Sequence, residues 1–152
     1  MAVYFLDSSA LVKRYANETG TIWITALLNP ALNNLFYVAR ITGVEVVAAL
    51  ARRARSANLT QANATRTIAQ FKSDFDTAVR HIEITSALTI SAMQLAERHV
   101  LRGYDVVQLA AALEVSHALA RAQTPLTFIA ADKDLLAAAS IEGLNAEDPN
   151  NH

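Results

Sequence analysis

A short apolar run, Val3–Leu6, ends abruptly at the carboxylate of Asp7, and two hydroxyl side chains, Ser8 and Ser9, follow. Short runs that contain β-branched and aromatic residues are typical of strands buried on both faces of a parallel sheet. Asp and Ser are favoured at the first positions of helices, so the segment predicts a strand, a tight turn and a helix. Considered alone, Asp7 is better explained as a helix cap than as a ligand.

The same pattern recurs near the C-terminus, where the apolar run 126–131 ends at Asp132 and a helical segment follows. Strand-like segments at 35–39, 81–85 and 144–146 alternate with segments of helical composition. Strands that alternate with helices predict an α/β fold, here a parallel sheet between two helical layers, that is, a three-layer α/β/α sandwich. The chain has only four glycines and three prolines, which favours a helix-rich version of this fold.

The 152 residues are enough for one domain with a substantial core. We expect residues 1–147 to form it and residues 148–152 to be a polar, frayed tail. The chain has no cysteine, which excludes disulfides, thiolate zinc sites and cysteine nucleophiles. The sequence shows no basic leader followed by a long apolar stretch and no apolar run near 18 residues in length, so we expect a cytoplasmic protein without a membrane partner. The net charge of −1 does not favour nucleic acid, which would have to be bound by local cations.

Four acidic residues stand where strands end or helices begin. Asp7 and Asp132 each follow a strand of the predicted sheet, and the carboxyl ends of parallel strands meet at one edge. Glu45 lies in the first turn of a helix that begins at Thr42, and Asp105 lies at the start of an apolar helix. Singly, each is explained by the helix dipole. If all four helices begin at the same edge, the four carboxylates converge.

Four close carboxylates repel one another, so they require either protonation or a hard divalent cation. A set of oxygen donors without cysteine or paired histidines favours Mg²⁺ or Mn²⁺ over zinc. Magnesium in proteins is commonly bound together with phosphate oxygens. Phosphodiester chemistry is therefore the expected substrate class.

Four segments of the chain carry a resemblance to a known family. They are the Asp-Ser-Ser-Ala-Leu-Val-Lys that begins at Asp7, the Thr-Gly-Val-Glu-Val around Glu45, the Gly-Tyr-Asp-Val-Val-Gln around Asp105 and the Phe-Ile-Ala-Ala-Asp-Lys-Asp around Asp132. In this order they resemble the four acidic blocks of PIN-domain ribonucleases, and in particular VapC-type toxins of type II toxin–antitoxin systems. The resemblance covers nearly the whole chain.

The resemblance implies a single PIN-like domain that acts as an Mg²⁺- or Mn²⁺-dependent endoribonuclease. Asp7, Glu45, Asp105 and Asp132 would supply the metal site and the catalytic groups, with one or two ions bound. The hydroxyls of Ser9 and Thr42 would lie close to the metal or the substrate, and Asp134 would be a further acid. The implied partners are RNA, an antitoxin protein and a second copy of the chain.

RNA binding would depend on those basic residues that gather around the cleft. The candidates are Lys13, Arg14, Arg40, Arg52, Arg53 and Arg102. The four histidines His81, His99, His117 and His152 lack metal-ligand spacing and are interpreted as core or surface residues.

Two alternatives remain open from the sequence. In the first, the chain is a phosphoryl-transfer domain with Asp7 as nucleophile, although a phosphatase of this kind would have a second Asp where Ser9 stands. A phospho-aspartate trapped with acetyl phosphate would support it. In the second, the chain is a non-catalytic PIN-like module whose acidic cleft binds a basic partner segment, which would be indicated by a co-purifying partner without metal binding.

Overall fold

The computed structural model describes residues 1–56 and 60–152. These residues contain one parallel sheet of five strands in the order β3-β2-β1-β4-β5. In chain order the strands are β1 Val3–Leu6, β2 Leu35–Ala39, β3 Arg80–Ile82, β4 Leu126–Ile129 and β5 Asn145–Glu147. The predicted α/β fold with a parallel sheet is confirmed, and β1 and β2 have the predicted bounds.

Seven α-helices lie within the described residues. They are α1 Ser8–Leu11, α2 Thr21–Leu27, α3 Thr42–Ser56, α4 Gln61–Thr77, α5 Ser86–Arg98, α6 Gly103–Ala120 and α7 Lys133–Ile141. Short 3-10 turns lie at Val12–Arg14, Pro30–Leu32 and Pro149–Asn151. From the sequence, a helix is predicted to start at Leu59-Thr60. Leu59 lies outside the described residues, and Thr60 caps α4 by accepting a hydrogen bond from the Asn63 amide at 3.2 Å.

Strand β3 spans Arg80–Ile82 instead of the predicted segment 81–85, and Thr85 is the N-cap of the next helix. Its hydroxyl oxygen accepts a hydrogen bond from the Leu88 amide at 3.1 Å and so caps α5. A Thr with extended backbone suits both a strand and an N-cap, and the alternation of polar and apolar residues does not separate the two.

The sheet separates two hydrophobic cores, because successive side chains of a strand point to opposite faces. Phe5 of β1 and Phe128 of β4 stack at 5.8 Å between ring centroids and belong to the core that contains the apolar faces of α5, α6 and α7. Leu6, Val38 and Ile129 belong to the opposite core, to which each of the helices α1 to α4 contributes buried apolar residues. The three-layer α/β/α sandwich is confirmed.

The C-terminal segment does not fray as expected. Residues Pro149–Asn151 form a 3-10 turn, and the buried ammonium of Lys13 donates to Asn150 Oδ1 at 2.8 Å and to the Thr19 carbonyl at 2.8 Å. The ring of His152 stacks on Trp23 with 4.2 Å between centroids. A buried charge needs several acceptors, and these contacts fix the segment against the N-terminal part of the fold. A domain boundary at residue 147 stays a prediction.

Gly20, which precedes α2, is held against the same C-terminal turn. Its φ is 85°, and a Cβ at this position would overlap the carbonyl oxygen of Pro149. We expect Gly20→Ala to lower the free energy of unfolding by more than about 1 kcal/mol, because both the backbone angle and the contact oppose a side chain. Urea denaturation followed by circular dichroism measures the change.

The matched control is Gly103→Ala at the start of α6, where a Cβ would meet nothing within 4 Å. We expect this variant to match or slightly exceed the wild-type stability. Equal midpoints for the two alanine variants would contradict the close approach at Gly20.

Candidate active site

A cleft of about 740 Å³ opens at the carboxyl edge of the sheet, beside the ends of β1 and β4. Its walls are the starts of α1, α3, α6 and α7, together with the middle of α3. All four predicted acids line it: Asp7, Glu45, Asp105 and Asp132. The structure therefore brings together the acids that the sequence placed at strand ends and helix starts.

Asp7 is the most buried of the four, with 3% of its surface exposed. Its backbone amide donates to the Ile129 carbonyl at 3.0 Å, which ties the end of β1 to β4. Its carboxylate accepts the Ser9 amide at 3.0 Å and so caps α1. Burial raises the pKa of Asp7, the hydrogen bonds from Ser9 oppose the rise, and the charge of Asp105 adds to it. Asp7 is thus both a helix cap and a wall of the cleft.

Ser9 connects the segments that follow the neighbouring strands β1 and β4. Its hydroxyl donates to the carboxylate of Asp7, and its oxygen accepts the Ala131 amide at 2.9 Å. The Ser9 hydroxyl therefore lies beside the acids and orients the Asp7 carboxylate, while its place near a metal or substrate stays a prediction.

Glu45 is held by a side chain that the sequence reasoning did not single out. Gln108 of α6 donates from Nε2 to Glu45 Oε2 at 2.6 Å and to Thr42 Oγ1 at 2.9 Å, and both Gln108 and Thr42 are completely buried. Burial raises the pKa of Glu45, the Gln108 bond opposes the rise, and the charges of Asp7 and Asp105 add to it. The missed signal was that Gln108 is the one polar residue in the apolar run 106–113 and lies three residues after Asp105.

Asp105 and Asp132 share one partner, the guanidinium of Arg102. Its Nε donates to Asp105 Oδ2 at 3.0 Å and its Nη2 to Asp132 Oδ2 at 3.2 Å. The other oxygen of Asp132 caps α7 by accepting the amides of Asp134 and Leu135, both at 3.0 Å. Asp134 itself is exposed and does not line the cleft, so its part in the site stays a prediction.

The acids fit a hard divalent cation in donor type but not yet in orientation. All four offer oxygen ligands around one cleft. Burial raises the pKa of two of them, Asp7 and Glu45, and a bound cation would stabilise their ionised forms. As the side chains of residues 1–56 and 60–152 stand, however, no three acidic or histidine groups are arranged to hold one ion. In this arrangement Ser9, Gln108 and Arg102 each donate to one oxygen of a carboxylate in the cleft.

Four of the six candidate cations line the cleft: Lys13, Arg52, Arg53 and Arg102. The other two pair elsewhere, Arg14 with Asp74 and Arg40 with Glu83.

Most of the cations along the cleft already have partners. Lys13 lies in its buried site, Arg53 pairs with Glu18, and Arg102 pairs with Asp105 and Asp132. Among the described residues, Arg52 forms no ion pair and is exposed.

One aromatic side chain lies at the cleft that the sequence reasoning did not consider. Tyr104 lines it with 62% of its surface exposed, next to Asp105. An exposed aromatic ring beside an acidic site offers a stacking surface for a base.

In the described parts of the chain, no helix is both long and apolar enough to span a membrane.

Comparison with known proteins gives close relatives, although no family model matches the chain. The curated ribonucleases VapC45 and VapC49, from two strains of Mycobacterium tuberculosis, are each 36% identical over 115 residues, which is 76% of this chain and 78% of the relative.

Solved structures with the same fold are more distant in sequence. The Mycobacterium tuberculosis toxin VapC20, described as cleaving the sarcin-ricin loop, has a TM-score of 0.61 and 18% identity, covering 93% of this chain and 95% of that one. VapBC2 from Rickettsia felis, bound to a DNA fragment from its promoter, has a TM-score of 0.59 and 15% identity, covering 96% and 98%.

Proposed function

The chain belongs to the VapC family of ribonucleases, and from this premise we propose that it cleaves RNA endonucleolytically, with Mg²⁺ or Mn²⁺, at its four-carboxylate cleft. The observation that carries the proposal is the convergence of Asp7, Glu45, Asp105 and Asp132 on one cleft from four separate elements. No histidine or cysteine lines this cleft among the described residues, and the acids that line it are carboxylates.

Each acid has a distinct role in the proposed reaction. Asp7, fixed by the end of β1 and by Ser9, is the central metal ligand, and Asp105 and Asp132 share the metal contact. Glu45, held by Gln108, binds metal or orients the attacking water. When bound, the metal lowers the pKa of water and offsets the charge of the phosphate and the leaving oxygen.

The test is an incubation of the purified protein with single-stranded and structured RNAs in Mg²⁺ or Mn²⁺, with the product ends mapped. We expect internal cuts that depend on the protein preparation and on the metal. A labelled phospho-aspartate after acetyl phosphate treatment, without RNA cleavage, would replace this proposal with phosphoryl transfer. A basic partner that binds tightly while calorimetry detects no metal would replace it with the binding module.

Arg52 is our candidate for the residue that holds the RNA backbone beside the acids. It follows Glu45 by seven residues on α3, two helical turns or about 10 Å, and Ala48 and Ala49 line the cleft between them. Two small side chains leave room for a nucleotide chain along this wall. Because Arg52 has no carboxylate partner among the described residues, its charge is free for a phosphate.

We expect Arg52→Ala, made in the inactive Asp7→Asn background, to weaken binding of a labelled single-stranded RNA. Removing one phosphate contact should reduce the slope of log affinity against log salt by about 0.7. Fluorescence anisotropy at several salt concentrations measures this slope.

Arg55→Ala is the matched control, since Arg55 is an exposed arginine of the same helix that faces a different groove. It should leave the slope nearly unchanged. Equal effects of the two substitutions would contradict a specific path along α3.

We further propose an antitoxin as the partner of this chain, a homodimer as its own assembly and the cytoplasm as its location. The first is supported by membership in a family whose structural neighbours include a VapBC assembly. An arginine of such a partner would pair well with the clustered carboxylates. Co-purification with the product of an adjacent gene, and light scattering of the isolated chain, test the partner and the dimer.

A further inference from the structure

Arg102 lies among the acids of the cleft although its side chain is largely exposed. It immediately precedes α6 and makes no capping hydrogen bond with its side chain. Its guanidinium instead spans the gap between Asp105 and Asp132 with bonds of 3.0 and 3.2 Å, while 79% of the side chain remains exposed. The bridge therefore joins the starts of α6 and α7. It places a positive charge between the carboxylates of Asp105 and Asp132.

This bridge covers one oxygen of each acid, and the other oxygen of Asp132 already caps α7. A divalent cation bound between Asp105 and Asp132 would lie beside the guanidinium, and the two positive charges would repel each other. Exposed ion pairs contribute little to stability, so the bridge is easily exchanged. The contacts that hold Asp7 and Glu45, from Ser9 and Gln108, are uncharged and do not compete in the same way.

We infer that Arg102 is the resident counter-cation of the site, which a metal ion must displace from Asp105 and Asp132. The inference rests on the proposed function, since it concerns the same metal site. Displaced from the acids, the guanidinium would remain in the wall of the cleft, which Tyr104 also lines. A guanidinium is suited to bidentate contact with phosphate, so metal binding releases a phosphate-binding group. Metal and RNA then favour each other's binding.

The test compares Mn²⁺ binding to the wild type, Arg102→Ala and Arg52→Ala by calorimetry and by electron paramagnetic resonance. Without the arginine to displace, Arg102→Ala should bind Mn²⁺ about fivefold more tightly or better. Arg52→Ala removes the same charge from the same cleft but contacts none of the acids, so its affinity should stay close to wild type. The comparison separates direct displacement from a general effect of charge.

A second measurement follows the arginine itself. In the wild type, the ¹⁵Nε signal of Arg102, assigned from its absence in Arg102→Ala, should shift as Mg²⁺ is added, because Nε loses its bond to Asp105.

Several results would overturn the inference. Unchanged or weaker Mn²⁺ binding by Arg102→Ala would do so, as would an equal rise for Arg52→Ala or an Nε signal that does not move. If the wild type also cleaves RNA, the proposed function survives that failure. If none of the proteins binds Mn²⁺, the proposed metal site fails together with the inference.

Discussion

Asp7→Asn is expected to lower the rate of RNA cleavage by about a hundredfold or more while leaving the fold intact. The substitution removes the charge of the most buried acid in the cleft, which is the central metal ligand in the proposed reaction. Losses of this size are typical when a group that stabilises transition-state charge is removed. Initial rates on a mapped RNA substrate, at saturating Mg²⁺, measure the effect.

The fold should survive because Asn replaces the structural contacts of Asp7. Asn and Asp are equally favoured as N-caps, so the bond from the Ser9 amide can be kept. Since burial raises the pKa of Asp7, its ionised form is penalised in the folded state, and stability falls as the pH rises through that pKa. In EDTA, the wild type should therefore lose stability relative to Asp7→Asn between acid and neutral pH, as followed by thermal denaturation.

Asp76→Asn is the control for cleavage, because Asp76 is an exposed acid of α4 that does not line the cleft. It should retain most of the activity. Equal cleavage by the wild type and Asp7→Asn would indicate a contaminating nuclease and defeat the assignment. Gross unfolding of Asp7→Asn would return Asp7 to a purely structural role.

Removal of divalent metal is expected to abolish cleavage completely. Among the described residues, the one cation that contacts the acids is Arg102, and Arg52 stands two helical turns along α3 from Glu45, so a phosphate held at the acids has no other counter-charge there than the metal. Treatment with EDTA followed by dialysis should leave no measurable activity, and Mg²⁺ or Mn²⁺ should restore it.

Metal should also raise the melting temperature of the wild type, since it relieves the repulsion among the acids of the cleft. The rise should be smaller in Asp7→Asn. Full activity of the dialysed protein in EDTA would contradict the metal site. If metal restores activity without changing the melting temperature, the metal site stands, but the idea that metal relieves the repulsion among these acids fails.

The sequence was most informative where a local pattern determines the structure. Val3–Leu6 and Leu35–Ala39 are short runs of apolar residues that include β-branched and aromatic side chains, which favour strands. Both strands have the bounds that the sequence predicts. Asp7 and Asp132 lie at one edge because the carboxyl ends of parallel strands meet there. Glu45 and Asp105 lie at the same edge because the helices that carry them begin there.

What could not be predicted depends on pairs of residues far apart in the chain. Gln108 contacts Glu45 across 63 positions, and Arg102 contacts Asp132 across 30, so neither pairing has a signature in local spacing. The polar composition of the C-terminal turn predicts fraying, yet a buried lysine holds the turn in place. Polar composition indicates how well a segment is solvated. It does not reveal that the buried ammonium of Lys13, far away in the chain, needs an acceptor from this segment.

The contact between Lys13 and Asn150 also bears on how the molecule folds and opens. It joins positions 137 residues apart, and Lys13 and Asn150 both line the cleft. Closing so long a loop carries an entropic cost that is repaid only after the sheet has formed, so this corner of the cleft should be completed late in folding. Its contacts hold the turn closed in the folded state, but it should open more often than the sheet, so amide exchange should be faster in the C-terminal turn than in β1 and β4. The acids would then stand on the slowly exchanging part of the molecule, and one wall of their cleft on the part that opens most readily.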